Sequence, residues 1–241
     1  IKDVNLPEKS SEGTVITSIG NEAFKQKGIE SVSIPETVKS IGNLAFQMNE
    51  LTEIKLPSKL ETAGAASFAT NKIKEVTIPA TLKEIPSGMF STNISTKIVI
   101  ENGVEKIGQS AFTGCKVESL TLPASVKSVG RMAFSGGAKE QTGKLKELIL
   151  NEGLEKIDTK AFQNNILKEV KIPVSLNSIK DDAFKGNAQV VELQTTNEDH
   201  LKFNTEKSLK NQKFVLVEDN SKFIDSDFTY DGSKITGFSE E

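Results

Sequence analysis

The chain has 241 residues and a formal net charge of −3, and its 36% hydrophobic and 26% charged residues are enough for a sizeable core. Neither sign of charge gathers into a run that would attract phosphates or anionic lipid, and no stretch of 18 apolar residues occurs, so we expect neither nucleic-acid binding nor membrane insertion. The single cysteine, Cys115, excludes an internal disulfide, and the single histidine, His200, excludes most zinc sites and catalytic dyads.

A repeat of 22 residues organises most of the chain, and phenylalanine is its clearest mark. The first eight phenylalanines are 22 residues apart except for one step of 28: Phe24, Phe46, Phe68, Phe90, Phe112, Phe134, Phe162 and Phe184. Six of the seven prolines keep the same period, and only Pro86 departs from it. One such unit buries too few side chains to offset the entropy of ordering its backbone, so the repeat predicts a solenoid of stacked coils.

Each repeat begins with a strand of the form LxxVxIP. The apolar fourth and sixth positions share one strand face, and the proline that follows has no N–H to continue a ladder. We expect nine such strands, including a truncated copy at the start and a shifted copy, Ala188, Val191 and Leu193, at the end. Glycines recur at the next corner, where we expect them to permit a turn: Gly20, Gly42, Gly64, Gly108 and Gly130.

Three columns of side chains are expected to run along the stacked coils. The repeat phenylalanines should form a spine of stacked rings, and the residues three positions later should hydrogen-bond the backbone of adjacent coils. These residues are Asn49, Asn71, Asn93, Cys115, Asn165 and Asn187. Cys115 shares the asparagine slot, which favours a structural thiol over a nucleophile. The third column alternates in sign from coil to coil and is expected to fix register through ion pairs: Lys39, Glu61, Lys83, Glu105, Lys127, Glu155 and Asn177.

The rest of the chain departs from this pattern. Two insertions of six residues interrupt the repeat, one near residues 8–18 and one near 135–144. After the solenoid of residues 1–193, residues 194–241 favour a short helix starting at Thr195 or Thr196, a strand in KFVLVED and a hairpin in FTYDGSKITGF. We expect an α+β capping segment here, with His200 on its surface, and a longer parent protein in which a further domain follows.

The repeat resembles that of the BspA-like, Treponema-type leucine-rich repeat proteins, whose unit is LxxIxLPxxLxxIGxxAFxxC. LTEIKLPSKLETAGAASFATN and VESLTLPASVKSVGRMAFSGG carry it almost position for position, although Asn mostly replaces the final Cys. The resemblance implies an α/β fold: a right-handed solenoid with a parallel β-sheet on the concave face and short 3-10 or β segments on the convex side. It also implies an extracellular or surface-anchored bacterial protein linked to adhesion.

Candidate binding residues lie on the expected concave face and in the second insertion. The outward residues of the strands are small or charged, and only Val99 and Ile149 are apolar, so these two could nucleate a weak contact or simply pack against their neighbours. The candidate ligand-binding residues are Val99, Ile149, Lys97, Glu147, Lys139, Glu140 and Lys144. The last three belong to the insertion near 135–144, which is either a binding loop or a tolerated bulge.

No enzymatic motif accompanies the repeat. GxSxG, GxxxxGK[ST], HExxH and CxxC are absent, and we expect no catalytic residue, metal or cofactor. The preferred hypothesis is a non-catalytic, adhesion-type module, monomeric as a fragment, that binds a host or neighbouring-cell protein or a matrix macromolecule. Two alternatives remain open: a passive structural spacer, and a module that binds carbohydrate on a shallow polar surface.

Overall fold

Strands of the LxxVxIP segments line one side of the molecule in parallel, forming what we call the front sheet. The computed structural model describes residues 2–137, 142–180, 182–187, 191–202, 212–217, 228–231 and 234–238. The front strands are Asp3–Asn5, Ser31–Ser33, Glu75–Ile78, Lys97–Ile100, Ser119–Leu122, Glu147–Leu150, Glu169–Lys171, Val191–Thr195 and Gln212–Leu216. With about eight coils and almost no helix, the described chain is a parallel β-solenoid.

Three details of the front sheet differ from the prediction, and the first is that Lys97–Ile100 and Ser119–Leu122 form no ladder with each other. The segment 51–56 forms no ladder with either neighbour, although Leu51, Ile54 and Leu56 point into the core as expected. At the end of the repeats, Leu193 pairs with Val170, which places the final strand two residues away from the predicted register. KFVLVED does form a strand, and this strand extends the front sheet in parallel beside Val191–Thr195.

Short strands of two residues form a second ladder, the back ladder, on another side of each coil. They are Ser18–Ile19, Ser40–Ile41, Thr62–Ala63, Glu84–Ile85, Lys106–Ile107, Ser128–Val129, Lys156–Ile157 and Ser178–Ile179. After six of these eight strands the next residue donates its N–H to the coil before, as Gly64 does to Ile41 O at 2.7 Å. Pro86 has no N–H to donate, and the back ladder is interrupted between Thr62–Ala63 and Glu84–Ile85.

The corner glycines are required for a different reason than predicted. None of the five has a positive φ, so none supplies a left-handed turn. Instead, a Cβ on Gly42 or Gly64 would lie 2.5 or 2.2 Å from the backbone of the preceding coil. These glycines therefore allow close stacking of the coils at this corner.

The phenylalanines form a continuous column through the third side of the solenoid. Neighbouring ring centroids lie 5.1–5.7 Å apart, with interplanar angles of 3–14°. Two residues before and after each ring the backbone commonly has a positive φ, as at Leu44 and Met48. This alternation directs every second amide toward the next coil, so that Phe46 N–H donates to Ser67 O at 2.7 Å.

The C-terminal segment packs against the last coils through one turn of 3-10 helix, Glu198–Leu201. Its N-cap is Asn197, whose side chain accepts from Asp199 N–H, so the predicted start signal at Thr195 or Thr196 was wrong by one or two residues. The predicted hairpin is present as the antiparallel strands Phe228–Asp231 and Lys234–Phe238, while the turn at 232–233 lies outside the described residues. In the first insertion, Lys9 and Val15 form an antiparallel bridge.

Candidate functional site

The outward side chains of the front strands, which we call the front face, form two columns. Strand pairing fixes their register except at 53–55 and between Lys97–Ile100 and Ser119–Leu122, where the repeat spacing places the residues. One column contains Asp3, Ser31, Glu53, Glu75, Lys97, Ser119, Glu147, Glu169, Glu192 and Lys213. The other contains Asn5, Ser33, Lys55, Thr77, Val99, Thr121, Ile149, Lys171, Gln194 and Val215. Because successive side chains of a strand point to opposite faces of the sheet, each front-face residue is followed by one on the core side of the sheet.

Val99 and Ile149 occupy the same column of the front face, one coil on each side of Thr121. Val99 is 41% exposed and Ile149 is 56% exposed, so neither is covered by its neighbours. Thr121 pairs directly with Ile149 across the sheet. The three side chains form a narrow strip of low polarity, which we call the apolar strip, in an otherwise polar face.

The charged candidates lie around this strip with different degrees of pairing. Lys97 Nζ lies 3.5 Å from a carboxylate oxygen of Glu75 on the preceding coil. Glu147 and Lys144 are exposed, and Lys144 lies near enough to Glu118 to help lower the pKa of that carboxyl, mainly set by Lys146. Lys139 and Glu140 lie outside the described residues. The structure therefore brings five of the seven candidates to the region between the fifth and seventh coils.

The second insertion is anchored at both ends of its described part. Lys116 Nζ donates to Thr142 O at 3.2 Å, and Thr142 Oγ1 donates to Gly136 O at 3.0 Å. On the C-terminal side, Gly143 N–H donates to Asn164 O at 2.9 Å. The described ends of the insertion are thus attached to the coil stack by hydrogen bonds to the sixth and seventh coils.

A depression of about 920 Å³ lies on the front face at the other end of the solenoid. It is lined by strand residues of the second to fourth coils, including Ile54 and Val76, and by residues of the turns that follow the strands. Its ionisable lining residues are Glu8, Glu36, Glu53, Glu75, Glu101 and Lys55. The sequence contained the signal for this site, since acidic residues fill consecutive outward slots at Glu53 and Glu75.

Some carboxylates of the depression are held in place and others are not. Hydrogen bonds from the backbone and hydroxyl of Ser58 lower the pKa of Glu36, and Lys55 lies 3.4 Å from the same carboxylate. Glu101 accepts a hydrogen bond from Ala80 N–H at 2.9 Å. Within the described residues, Glu8 and Glu53 have neither an ion pair nor a side-chain hydrogen bond. The residues that line the depression therefore neutralise only part of its negative charge.

The asparagine column makes the same set of contacts in successive coils. Asn71 Nδ2 donates to Phe46 O and Phe68 O at 2.9 and 3.1 Å, while its Oδ1 accepts from Leu51 N–H at 3.1 Å. Equivalent donor contacts join Asn49, Asn93, Asn165 and Asn187 to their own and the preceding coils. These side chains satisfy backbone groups inside the stack.

Cys115 takes the place of asparagine in this column and is buried. Its Sγ lies 4.0 Å from Phe90 O, and burial raises the pKa of the thiol to about 12 despite contacts with Ser95. A thiol with so high a pKa is a poor nucleophile. Cys115 is therefore a structural member of the asparagine column.

His200 is not a surface residue, contrary to the sequence prediction. Its side chain is buried, with Nε2 2.8 Å from Leu176 O and Nδ1 2.7 Å from Thr195 Oγ1. Burial lowers its pKa, while the nearby carboxylates of Asp199 and Glu152 act in the opposite direction. No repeat partner of His200 exists in the sequence, so periodicity gave no indication of these contacts.

Two properties of the described residues bear on other classes of site. No group of three or more His, Cys, Asp or Glu side chains in the described ranges is arranged to hold a metal ion. Likewise, in the part of the chain that the structure describes, no helix has the length and hydrophobicity needed to cross a bilayer.

The repeats match the family model of the BspA type leucine rich repeat region in six copies, over residues 17–141 and 137–235. These two ranges include most of the chain. The protein belongs to the BspA-type leucine-rich repeat family. The resemblance seen in the sequence is thereby confirmed, and the coils described above are its leucine-rich repeats. No curated protein matches the chain.

Solved structures similar to this leucine-rich repeat protein come from several bacteria. A leucine rich cell surface protein from Faecalibacterium prausnitzii shares 18% identity, with coverage of 92% of this chain and 89% of that chain and a TM-score of 0.44. A leucine-rich repeat protein from Eubacterium ventriosum shares 21% identity, with coverage of 90% and 60% and a TM-score of 0.47. The T. pallidum leucine rich repeat protein shares 17% identity, with coverage of 89% and 86% and a TM-score of 0.41.

Proposed function

We propose that this BspA-type repeat protein is a non-catalytic, adhesion-type recognition module of a bacterial cell-surface or secreted protein. Its partner would be a host or neighbouring-cell protein or a matrix macromolecule. The observation that supports this most directly is the apolar strip, in which Val99 and Ile149 remain 41% and 56% exposed on a rigid sheet face. The extracellular location rests on the family resemblance.

The apolar strip has the layout of a small protein contact. Apolar side chains at its centre could be desolvated by a partner, while Lys97, Glu147 and Lys144 supply a polar rim. The strip is too small to hold a partner alone, since stable interfaces bury roughly 800 Å² on each side. The adjacent insertion near 135–144, with Lys139 and Glu140, would supply further contact area.

We also propose the finer architecture that accompanies this function. Residues 1–193 would form a right-handed solenoid with a concave front face, and residues 194–241 an α+β cap at its C-terminal end. The strand Gln212–Leu216, which continues the front sheet after the last repeat, supports a covering role for this segment.

The experiment compares binding by the protein and by two variants on arrays of purified matrix proteins and of glycans. In the first variant, Val99→Ser is combined with Ile149→Ser. The matched control is Val174→Ser, which also replaces an exposed valine, 52% accessible, but one outside the front face. We expect protein hits that the double variant weakens at least tenfold and the control retains.

Other outcomes of the array experiment would contradict this proposal. Hits confined to glycans would favour the shallow carbohydrate-binding alternative. Silence on both arrays would favour the passive spacer, for which the continuous ring stack from Phe24 to Phe184 provides a rigid rod. If Val174→Ser and the double variant lose protein hits equally, the front face is not the binding surface.

A further inference from the structure

The junction between the third and fourth coils is unlike the other junctions in the described solenoid. Its front strands do not pair, because 53–56 forms no ladder with Glu75–Ile78. Its back ladder is also interrupted, at the position where Pro86 has no N–H to donate to Ala63. Each of the other described junctions between coils keeps at least its back ladder. We call this junction the seam.

The phenylalanine corner remains continuous across the seam. Phe68 and Phe90 stack with centroids 5.4 Å apart, and Phe68 N–H donates to Met89 O at 3.0 Å. The third and fourth coils are therefore joined at this corner, and also by Lys74 N–H, which donates to Thr52 O at 3.1 Å, and by Thr81 Oγ1, which donates to Leu60 O at 2.7 Å. No backbone ladder joins their front strands. The backbone N–H and C=O groups of 53–56 form no backbone hydrogen bond within the described chain, and they point along the stack toward the second and fourth coils.

The depression of about 920 Å³ lies directly over the seam. Its lining residues run from Glu8 in the first coil to Glu101 in the fifth, which is about 19 Å at roughly 4.8 Å per coil. An extended peptide rises about 3.3 Å per residue, so about six residues would span it. The size and shape suit a single extended segment.

The charge of the depression determines which kind of segment fits. Five carboxylates and one ammonium group line it, a net charge of −4, whereas the entire chain carries only −3. The depression is therefore acidic, although Lys97, which is not among its lining residues, lies 3.5 Å from Glu75 and offsets part of this charge. A depression with charge of one sign attracts and orients partners of the opposite sign.

We infer that the depression over the seam is a docking surface for an extended, Lys/Arg-rich segment of a partner protein. Basic side chains would pair with Glu53, which has no ion pair within the described chain, and would compete with Lys97 for Glu75, while the partner backbone would cross the front face over 53–56. The inference rests on the proposed role in protein recognition but uses a different set of side chains, centred on the second to fourth coils. The two surfaces are neighbours, since the lining residue Thr77 pairs with Val99 of the apolar strip.

The test measures the fluorescence polarisation of a labelled decapeptide of alternating Lys and Thr, at 50 mM NaCl. The seam variant carries Glu53→Lys and Glu75→Lys. The control variant carries Glu169→Lys and Glu192→Lys, which occupy the same front-face slot in later repeats and pair with each other across the sheet. Both variants change the net charge by the same amount, so they feel similar long-range attraction.

We expect the seam variant to bind the peptide at least tenfold more weakly than the unmodified protein, and the control variant to bind within threefold of it. The Val99→Ser and Ile149→Ser variant should retain peptide binding. The peptide result therefore does not depend on whether the apolar strip binds a partner. If the seam and control variants lose peptide affinity equally, the affinity depends only on the net charge of the protein, and the inference is overturned. Failure of the unmodified protein to bind the Lys–Thr peptide would overturn it as well.

Discussion

At the scale of single residues, stacking works because the same side chain recurs at the same place in each coil. A phenylalanine meets the phenylalanine of the next coil, and an asparagine bridges two carbonyls that also belong to phenylalanines. The backbone accepts a cost for this, since Leu44, Met48 and similar residues adopt a positive φ. The inter-coil hydrogen bonds at this corner offset that cost.

The ring column allows a prediction about its central and terminal members. Phe112 is fully buried between two rings, at 5.2 and 5.7 Å, whereas Phe24 is half-buried and has one described ring neighbour. We expect Phe112→Ala to lower the free energy of unfolding by about 3–5 kcal/mol, as for other buried aromatic truncations, and Phe24→Ala to lower it clearly less. Urea unfolding of both variants measures this. Equal losses, or a near-neutral Phe112→Ala, would mean that stability does not come from the ring stack.

At the scale of elements, the 3-10 turn Glu198–Leu201 attaches the C-terminal segment to the last coils through His200. Because Leu176 O can only accept, Nε2 must carry the proton, and Nδ1 then accepts from the Thr195 hydroxyl. That hydroxyl oxygen also accepts from Asn197 N–H at 3.1 Å. Neutral His200 therefore satisfies all of these groups, whereas a second ring proton would compete with the hydroxyl proton of Thr195.

This geometry and the lowered pKa of His200 predict a loss of stability on mild acidification. The unfolded pKa is about 6.5, so the contribution of neutral His200 is complete above that pH and is lost as the pH falls toward the lower folded pKa. The imidazole signal of this single histidine gives its pKa directly by NMR, and we expect a value below 6.5. Thermal melts between pH 7.5 and 5.5 should show a decrease that His200→Gln removes. A measured pKa at or above 6.5 would contradict the buried, neutral assignment.

At the scale of the whole molecule, the parts of the fold that repeat were predictable and the exceptions were less so. The spacing of Phe46 and Asn49 indicated both their burial and their partners, because stacking identical coils leaves little choice. The pattern LTEIKLP does not differ from that of its neighbours, yet its strand is the one that fails to pair. Ladder formation depends on small differences in coil spacing that a residue pattern does not contain.

The candidate site was predictable to a similar extent. Val99 and Ile149 follow from strand alternation alone, and both are exposed as that rule requires. The depression needed two further facts, the missing ladder beneath it and the proximity of rim residues from different coils, such as Glu36 and Glu101. The register of Leu193 was misjudged because the last step, between Val170 and its partner, is 23 residues long.

The seam should be the place where the solenoid opens most easily, and single amides can show this. Glu61 N–H donates to Lys39 O and Glu105 N–H donates to Lys83 O, both at 2.8 Å, but within the described chain the equivalent amide of Lys83 has no backbone partner. We therefore expect the Lys83 amide to exchange its hydrogen at least tenfold faster than those of Glu61 and Glu105.

Pro86→Gly tests the cause of this difference. Glycine restores the N–H that can donate to Ala63 O, a gain of about 0.5–1.5 kcal/mol, while losing the rigid proline costs about 0.4–1 kcal/mol through the unfolded chain. Since these effects nearly cancel, the melting temperature should change little and amide exchange is the informative measurement. In this variant the Lys83 amide should become protected to the level of its neighbours. If Lys83 is already equally protected in the unmodified protein, the coils are joined evenly along their length and the seam does not exist in solution.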